Sequence, residues 1–399
     1  MNIVSRNIHK LLSKKRYNCK KRDFHTWVFG EWFGTRCCDN CLYLANHVAA
    51  TRPEIRVVWI AKKQTDTRSL ASAIQVVEMD SPKAIRLLQS AGVFIMNQGF
   101  VDFTENDAFE YYFSGALTIN LWHGMPWKKI GNDMVPPSQP IKRRYSEWLL
   151  KTYGAQYYLS VSGEMTRIMK SAFGVEKNRI IEAGYPRNTL FYHEQAMNEC
   201  RHSLLETIAQ KTGTQPERIL AYMPTFRDKQ AGTFSFQAMD RPAELQALLE
   251  AHNAVIIEKA HFVNRDRADL RPVSNRVIAM NDIAAQELLA AADMLITDYS
   301  SCFFDFLATD RPILHYVYDY DDYAHHDRGL YFGLDEVACG DTPQTQEALL
   351  AAIQDHLTYP AKGQALRAER RRRFMSFEQP GACEAIAAFI SQRCKENDI

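Results

Sequence analysis

Short apolar runs rich in β-branched and aromatic residues alternate with helical segments along most of the chain. Such near-continuous apolar strands are typical of parallel sheets covered on both faces. The alternation predicts a doubly wound α/β architecture, and a polar stretch near 190–218 divides it into two Rossmann-like domains facing across a cleft. The predicted strands are VVWIA, AIQVVEM, VFIMNQ, LTINLW, YYLSVS and RIIEAG before that stretch, and ILAYMPT, AVIIEKA, RVIAM, MLITD and PILHYV after it.

The length of 399 residues also favours two domains. We predict a basic N-terminal segment over 1–24 and an N-terminal Rossmann-like domain over 25–190. A C-terminal Rossmann-like domain is predicted over 191–380. The last segment, 381–399, is predicted to be a helix that could cross back to the first domain.

Composition excludes several classes of protein. The net charge of +1 gives no general basic field for nucleic acid. No run approaches the ~20 apolar residues of a membrane span, and no signal peptide is visible. The 9 cysteines are scattered, and the group Cys37, Cys38 and Cys41 lacks a second paired cluster, so we predict reduced cysteines, no metal site and a cytoplasmic protein.

Basic charge is concentrated at the N-terminus. Residues 6–22 hold eight Lys or Arg and no acid. With Ile8, Leu11 and Leu12, this segment could form an amphipathic helix on an anionic membrane surface, or remain a solvated tail. A second cluster, RAERRRR at 367–373, is interpreted as a helix face that could also touch an anionic partner.

Ligands of open α/β sheets bind at the carboxyl ends of the strands. His123 directly follows LTINLW, and Gly124 after it allows close approach of the backbone. A histidine there can accept a proton from a hydroxyl near neutral pH, or it can simply hold the turn. Lys128 and Lys129 could face a phosphate or water.

Three further residues stand at strand ends. His261 occupies the matching place in the second half and could complement His123, or be a packing histidine. Arg227 could bind phosphate bidentately or pair with Asp228. Arg187 was compatible with a role at the domain hinge.

The stretch ITDYSSCFFDFL, residues 296–307, predicts a strand, a turn at Asp298 and a helix starting at Ser300 and Ser301. Backbone N–H groups at a helix start favour an anion, and two hydroxyls beside them form a phosphate cradle. Plain N-capping is the alternative. Asp305 would share the helix face of Ser301 and either contact the ligand or be satisfied in the core.

Together these motifs resemble the CDP-glycerol glycerophosphotransferase family, which includes teichoic-acid primases, polymerases and capsule enzymes. The resemblance covers roughly 25–395 and rests on LWHGMPWKKIG, AGYPRNTLF, YMPTFRD, EKAHF, NDIAAQELL through ITDYSSCFFDF, RPILHY and HDRGLYF. It implies a GT-B-like enzyme that transfers an alditol phosphate from a CDP donor to a hydroxyl and releases CMP. The domain over 25–190 would then bind the acceptor, and the domain over 191–380 the CDP donor. No cofactor is required, although Mg²⁺ could accompany the donor diphosphate.

The resemblance also implies roles for individual residues. His123 matches the general base, and His261 matches a histidine that contacts the donor phosphates. The remaining implied positions are Ser300, Ser301, Arg227 and Arg328 for phosphate, Met280, Asn281 and Asp282 for cytidine, and Asp305, Asp298 and Gly124 for the alditol or for bracing the site.

The sequence departs from the family pattern at two places. Phe262 stands where Pro usually follows the second histidine, and Asn188–Thr189 replaces the usual Asn-Asp. These departures leave the acceptor and the choice between primase and polymerase open.

The expected function is transfer of glycerol phosphate from CDP-glycerol to a lipid-linked or polymer acceptor at the inner face of the membrane, in synthesis of a teichoic-acid-like or capsular polymer. CDP-ribitol, or a nucleotide sugar used by a GT-B glycosyltransferase, is an alternative donor. A non-catalytic protein that binds anionic polymer at the membrane surface is the alternative outside enzymes.

Overall fold

The computed structural model describes residues 21–106, 112–225, 234–259, 274–320 and 329–397. These residues form two compact units. The first unit runs to His123, resumes over Ile130–Thr189 and returns from Phe377 onward. The second comprises Gly124–Lys129 and Leu190–Ser376, so a short segment and a long segment of the chain build it together.

The first unit is built on a seven-stranded sheet of order β3-β2-β1-β4-β5-β6-β7. Every pairing in it is parallel, as the near-continuous apolar runs predict. The strands are β1 Asp23–Phe29, β2 Arg56–Ala61, β3 Gln75–Glu78, β4 Ala91–Met96, β5 Leu117–Asn120, β6 Tyr157–Ser160 and β7 Ile180–Glu182.

Six of these strands are predicted from the sequence, and the one that is missed is β1, an interior strand beside the central strand β4. The sequence DFHTWVF alternates exposed and buried residues at first and becomes wholly buried only over its last four residues. Trp27 pairs in register with Val57 on one side and Val93 on the other, and its side chain is fully buried. From β1 the strand order runs outward through β2 to β3 on one side, and from β4 to β7 on the other. The carboxyl ends of the neighbouring strands β1 and β4 are therefore the topological switch point of the sheet.

The second unit is built on a five-stranded parallel sheet of order β10-β9-β8-β11-β12. Its core packs apolar side chains of those strands and of the covering helices, among them Leu220, Phe236, Ile256 and Ile296. The strands are β8 Arg218–Met223, β9 Ala254–Glu258, β10 Val277–Ala279, β11 Met294–Thr297 and β12 Ile313–His315. The two Rossmann-like domains predicted from the sequence are therefore confirmed.

Helices connect the strands of each unit. In the first they are α1 Asn40–Thr51, α2 Pro82–Ser90, α3 Pro140–Tyr153, α4 Gly163–Phe173 and the terminal α12 Ala382–Asn397. In the second they are α5 Glu194–Thr212, α6 Pro242–Ala251, α7 Ala285–Ala291, α8 Cys302–Phe306, α9 Leu334–Val337, α10 Gln346–Thr358 and α11 Gln364–Phe374. Across the residues described, none of the helices has both the length and the hydropathy of a membrane span.

The C-terminal segment belongs to the first unit. Phe377 N donates to Val161 O at 2.8 Å, and Glu378 Oε2 accepts from Tyr185 N at 3.0 Å. On α12, Glu384 pairs with Arg52 at 2.6 Å. The chain thus returns at 377, four residues before the boundary expected from the sequence.

Candidate active site

His123 stands on a strained turn at the carboxyl end of β5. Trp122 before it has φ 58°, in the left-handed region that bulky residues rarely adopt. The turn is held by two hydrogen bonds, from Trp122 N to Asn120 Oδ1 at 2.8 Å and from Asn40 Nδ2 to Trp122 O at 2.9 Å. Strain of this kind costs about 1–3 kcal/mol and persists where the surroundings over-determine it.

The imidazole of His123 lies between two indole rings. It stacks on Trp122 with ring centroids 4.6 Å apart and lies 5.8 Å from Trp32. His123 Nδ1 is 3.5 Å from Asn97 O. Because a carbonyl oxygen only accepts, a hydrogen bond here requires the tautomer with the hydrogen on Nδ1, which leaves the lone pair that a general base needs on Nε2.

A buried ion pair holds the backbone of His123. Arg187 Nη1 donates to His123 O at 3.1 Å and to Asp39 Oδ1 at 2.6 Å. The side chains of Arg187 and Asp39 are only 9% and 5% exposed. Asn40 Oδ1 accepts from Arg187 N at 3.2 Å, so the residue that steadies Trp122 also steadies Arg187. These contacts make Asp39, Asn40 and Arg187 positioning residues for His123.

Burial lowers the pKa of His123 below its ordinary value of 6.5, and the charge of Arg187 lowers it further, while Asp39 opposes the shift. The imidazole is therefore neutral at pH 7. If His123 is the general base, kcat/KM must fall as pH drops through this lowered pKa, so the acid limb of the profile is expected below pH 6.5. Initial rates measured from about pH 4.5 to about pH 9, a range that spans the titration of an ordinary histidine, check this. An acid limb centred above the ordinary histidine pKa would contradict it.

Two buried carboxyl groups order the loop after β1. Glu31 accepts from Asp39 N at 2.9 Å and from Asn97 Nδ2 at 3.3 Å. Burial, followed by the charge of Asp39, raises the pKa of Glu31 well above its usual range. Asp102 accepts from the backbone N–H groups of Phe33 and Asn97, and burial raises its pKa to about 6. Both groups serve to shape the backbone beside His123.

In the second unit, Asp298 ties together the ends of the two central strands. It is 1% exposed, and its Oδ1 accepts from Thr225 N at 2.7 Å and from Tyr299 N at 2.6 Å. Thr225 follows β8 and Asp298 follows β11, so this contact lies at the switch point of the sheet. Its geometry assigns Asp298 to bracing the turn.

Ser300 and Ser301 follow this turn and are half-buried. The helix starts later than expected, because α8 begins at Cys302 and Ser301 is its N-cap. The Ser301 side chain makes no capping hydrogen bond. The N-capping alternative is therefore wrong for its hydroxyl. Asp305 is 2% exposed, which favours a bracing role over contact with a ligand.

The Met280–Asp282 turn follows β10 at the same sheet edge. Met280 N donates to Glu258 O at 3.0 Å, and Lys259 Nζ donates to Asn281 O at 2.9 Å. Asp282 is exposed. The turn is thus fixed to the end of β9.

The motif HGMPWKK is divided between the two units. Gly124, at φ 146°, is the first residue of the segment that belongs to the second unit. Trp127 is 1% exposed and its Nε1 donates to Phe332 O at 2.9 Å. Lys128 forms an antiparallel bridge with Leu330, and Lys129 N donates to Gly329 O at 2.9 Å. The two lysines are therefore held by their backbones in the second unit.

Three predicted site residues, His261, Arg227 and Arg328, lie outside the described residues. The basic N-terminal segment up to residue 20 does so as well.

Sequence reasoning missed the group around His123. Glu31, Asp39 and Asn40 were not singled out, and Arg187 was considered only for the hinge. The sequence does carry a signal for this group, since EWFG follows β1 and acids and amides stand near the ends of β1 and β4. The signal can be interpreted only when β1 is recognised as a strand.

Two Rossmann-like units, each with polar side chains gathered at the carboxyl ends of its parallel strands, define a protein of the GT-B class. The wall teichoic acid polymerase TagF has this fold, with a TM-score of 0.78 at 23% identity over 99% of this chain and 95% of that one. Staphylococcus aureus MnaA bound to UDP is more distant, with a TM-score of 0.55 at 9% identity over 94% of this chain and 97% of that one.

The family model for CDP-glycerol:poly(glycerophosphate) glycerophosphotransferase matches residues 14–392. The chain belongs to this family. Among curated relatives, the teichoic acid poly(glycerol phosphate) polymerase of Bacillus subtilis strain 168 is 27% identical over 82% of this chain and 43% of its own length. The Bacillus spizizenii polymerase is 32% identical over 60% of this chain and 61% of its own. The teichoic acid glycerol-phosphate transferase of Staphylococcus aureus is 27% identical over 82% of each chain. The chain thus spans about half the length of the two Bacillus relatives.

Proposed function

We propose that this chain transfers glycerol phosphate from CDP-glycerol to a hydroxyl acceptor and releases CMP, in synthesis of a teichoic-acid-like or capsular polymer. The observation that carries the proposal is His123, a neutral imidazole with Nε2 available, held on a strained turn by a buried ion pair. Family membership and the names of the relatives supply the donor and the transferred group.

In the proposed reaction the acceptor oxygen attacks the donor phosphorus that bears glycerol. His123 Nε2 takes the proton of the acceptor hydroxyl. The bond from that phosphorus to the bridging oxygen breaks, and its electron pair leaves with CMP. Transfer of this kind depends on positioning and on stabilising charge at the leaving phosphate.

We assign the donor phosphates to Ser300 and Ser301 at the start of α8, where N–H groups and hydroxyls gather. The resemblance adds His261, Arg227 and Arg328 to this set. Cytidine is assigned to the backbone of Met280, Asn281 and Asp282. No cofactor is required in this proposal, and any Mg²⁺ would be carried on the donor diphosphate, so EDTA is expected to leave the stability of the protein unchanged.

A panel of donors tests the function. CDP-glycerol, CDP-ribitol and UDP-sugars are incubated with the protein and a hydroxyl-bearing acceptor, and release of CMP or UDP is measured. Release of CMP from CDP-glycerol above the other donors is expected. Preference for CDP-ribitol or a UDP-sugar would overturn the proposed substrate, and no release from any donor would favour a binding protein.

We further propose that the protein acts at the inner face of the membrane as a peripheral protein, and that α3 contributes to binding. Large apolar side chains on α3 face solvent: Ile141 is 85% exposed, Tyr145 60% and Trp148 47%. Lys142 and Arg144 on the same helix are also exposed. Aromatic and apolar groups beside Lys and Arg suit an anionic bilayer, where each cation contributes about 1 kcal/mol.

The double variant Ile141→Glu, Trp148→Glu is expected to weaken binding to phosphatidylglycerol vesicles at least ~10-fold, because it puts two charges on the apolar contact. Co-sedimentation with vesicles measures this. Tyr359→Glu is the matched control, since Tyr359 is 63% exposed on the second unit and should leave binding unchanged. Equal binding by the double variant would remove α3 from the membrane contact.

By contrast, three arginines of α11 are engaged within their own unit. Arg367 is 2% exposed and donates to Lys362 O at 2.7 Å. Arg370 donates to Asp335 O at 2.8 Å, and Arg373 pairs with Glu336 at 2.9 Å. We therefore do not assign the 367–373 cluster to an anionic partner.

A further inference from the structure

The loop after β1 contains a run of left-handed backbone. Trp32, Phe33 and Gly34 have φ of 49°, 58° and 69°. For an L-residue this conformation costs roughly 1–2 kcal/mol each, and only Gly adopts it freely. Two large aromatic residues in succession are therefore held in a conformation that their side chains oppose.

Hydrogen bonds from the neighbouring strand ends hold this run in place. Trp32 N donates to Gln98 Oε1 at 2.7 Å, and Phe33 N donates to Asp102 Oδ1 at 2.9 Å. Trp32 Nε1 donates to Asp39 Oδ2 at 3.1 Å. Asp39 is also the partner of Arg187, so the run is tied to the network that positions His123. Strain maintained by this many contacts points to a function for the side chains it presents.

The run presents aromatic surface beside the catalytic imidazole. Phe33 is 49% exposed although it is apolar, and the Trp32 ring lies 5.8 Å from the ring of His123.

From this arrangement we infer that Trp32 and Phe33 form an acceptor subsite, which binds the hydroxylated carbon skeleton of a sugar or polyol and presents its hydroxyl to His123. The inference rests on the proposed function and extends it. The negative face of an aromatic ring attracts the weakly positive C–H groups of such a skeleton.

Phe33→Gly tests the subsite without endangering the fold, because Gly removes the side chain and relieves the left-handed strain. Its melting temperature is expected to equal or exceed that of the wild type. The KM for the acceptor is expected to rise about tenfold, the scale of one lost aromatic contact. The KM for CDP-glycerol should not change. Phe33→Tyr, which keeps the ring, should restore the acceptor KM.

Val76→Ala is the matched control, since Val76 is 44% exposed in the same unit but on the edge strand β3. Two acceptors, an alkyl glucoside and a short glycerol phosphate oligomer, decide whether a sugar or a polyol phosphate is the skeleton bound. An unchanged acceptor KM in Phe33→Gly, or a parallel rise in the donor KM, would overturn the subsite.

Failure of the proposed function has a different signature. The wild type would then release no CMP from CDP-glycerol with either acceptor. Calorimetric titration of both acceptors into the wild type and Phe33→Gly would still decide the subsite, because weaker binding to the variant supports it and equal or absent binding overturns it.

Discussion

His123→Ala is expected to lower kcat by about 10²–10⁴ while the protein still binds CDP-glycerol, because the variant loses the proton acceptor and leaves the second unit unaltered. Steady-state CMP release gives kcat, and calorimetry with CDP-glycerol gives donor affinity. The loss of kcat should be as large at pH 8 as at pH 7. His123 of the wild type is already neutral at pH 7, and a higher pH does not replace the missing imidazole of the variant.

His25→Ala is the matched control for this experiment. His25 is exposed on β1 in the same unit and should be replaceable at no cost to kcat. A kcat for His123→Ala within about threefold of the wild type would contradict the base assignment, since a positioned general base contributes far more than that.

Arg187→Gln is expected to destabilise the protein by about 3–5 kcal/mol, because it leaves the carboxylate of Asp39 buried without its ion pair. It also removes the donor to His123 O, so kcat should fall at least ~10-fold with the KM for CDP-glycerol unchanged. Urea denaturation measures the first effect and initial rates the second. Arg167→Gln, which breaks an exposed pair with Glu164, is the control and should cost under about 1 kcal/mol.

The double variant Asp39→Asn, Arg187→Gln separates folding from positioning. With no buried charge left and Asn still a good N-cap for α1, most of the lost stability should return. Activity should stay low, because His123 O still lacks its donor. Recovery of both stability and kcat would show that the ion pair serves folding alone.

The single variants should also move the pH profile in opposite directions. Arg187 lowers the pKa of His123 and Asp39 raises it. The acid limb of kcat/KM is therefore expected to move to higher pH in Arg187→Gln and to lower pH in Asp39→Asn. A purely structural role would leave both profiles where they are.

Strand periodicity was enough to find the two parallel sheets, because strands buried on both faces are almost wholly apolar. It failed at β1, where Asp23, His25 and Thr26 interrupt the apolar pattern at the start of the strand. Because β1 was missed, the loop that follows it and the switch point between β1 and β4 were missed as well.

The places of His123, Ser300 and Ser301 in the fold could be predicted from the sequence, because each residue follows a strand that the apolar pattern identifies. The network around His123 gave no local signal, because Asp39 and Arg187 are 148 residues apart and meet only through the fold. The attachment of Gly124–Lys129 to the second unit likewise depends on tertiary contacts such as that of Trp127 with Phe332.

The central claim is transfer of glycerol phosphate, and the mass of the acceptor tests it most directly. The protein is incubated with CDP-glycerol carrying ¹³C in its glycerol, together with a lipid-linked acceptor, and products are read by mass spectrometry. We predict that the acceptor gains labelled glycerol phosphate in step with CMP release, and that His123→Ala suppresses both. An acceptor of unchanged mass, or CMP release that continues without addition to the acceptor, would contradict the account.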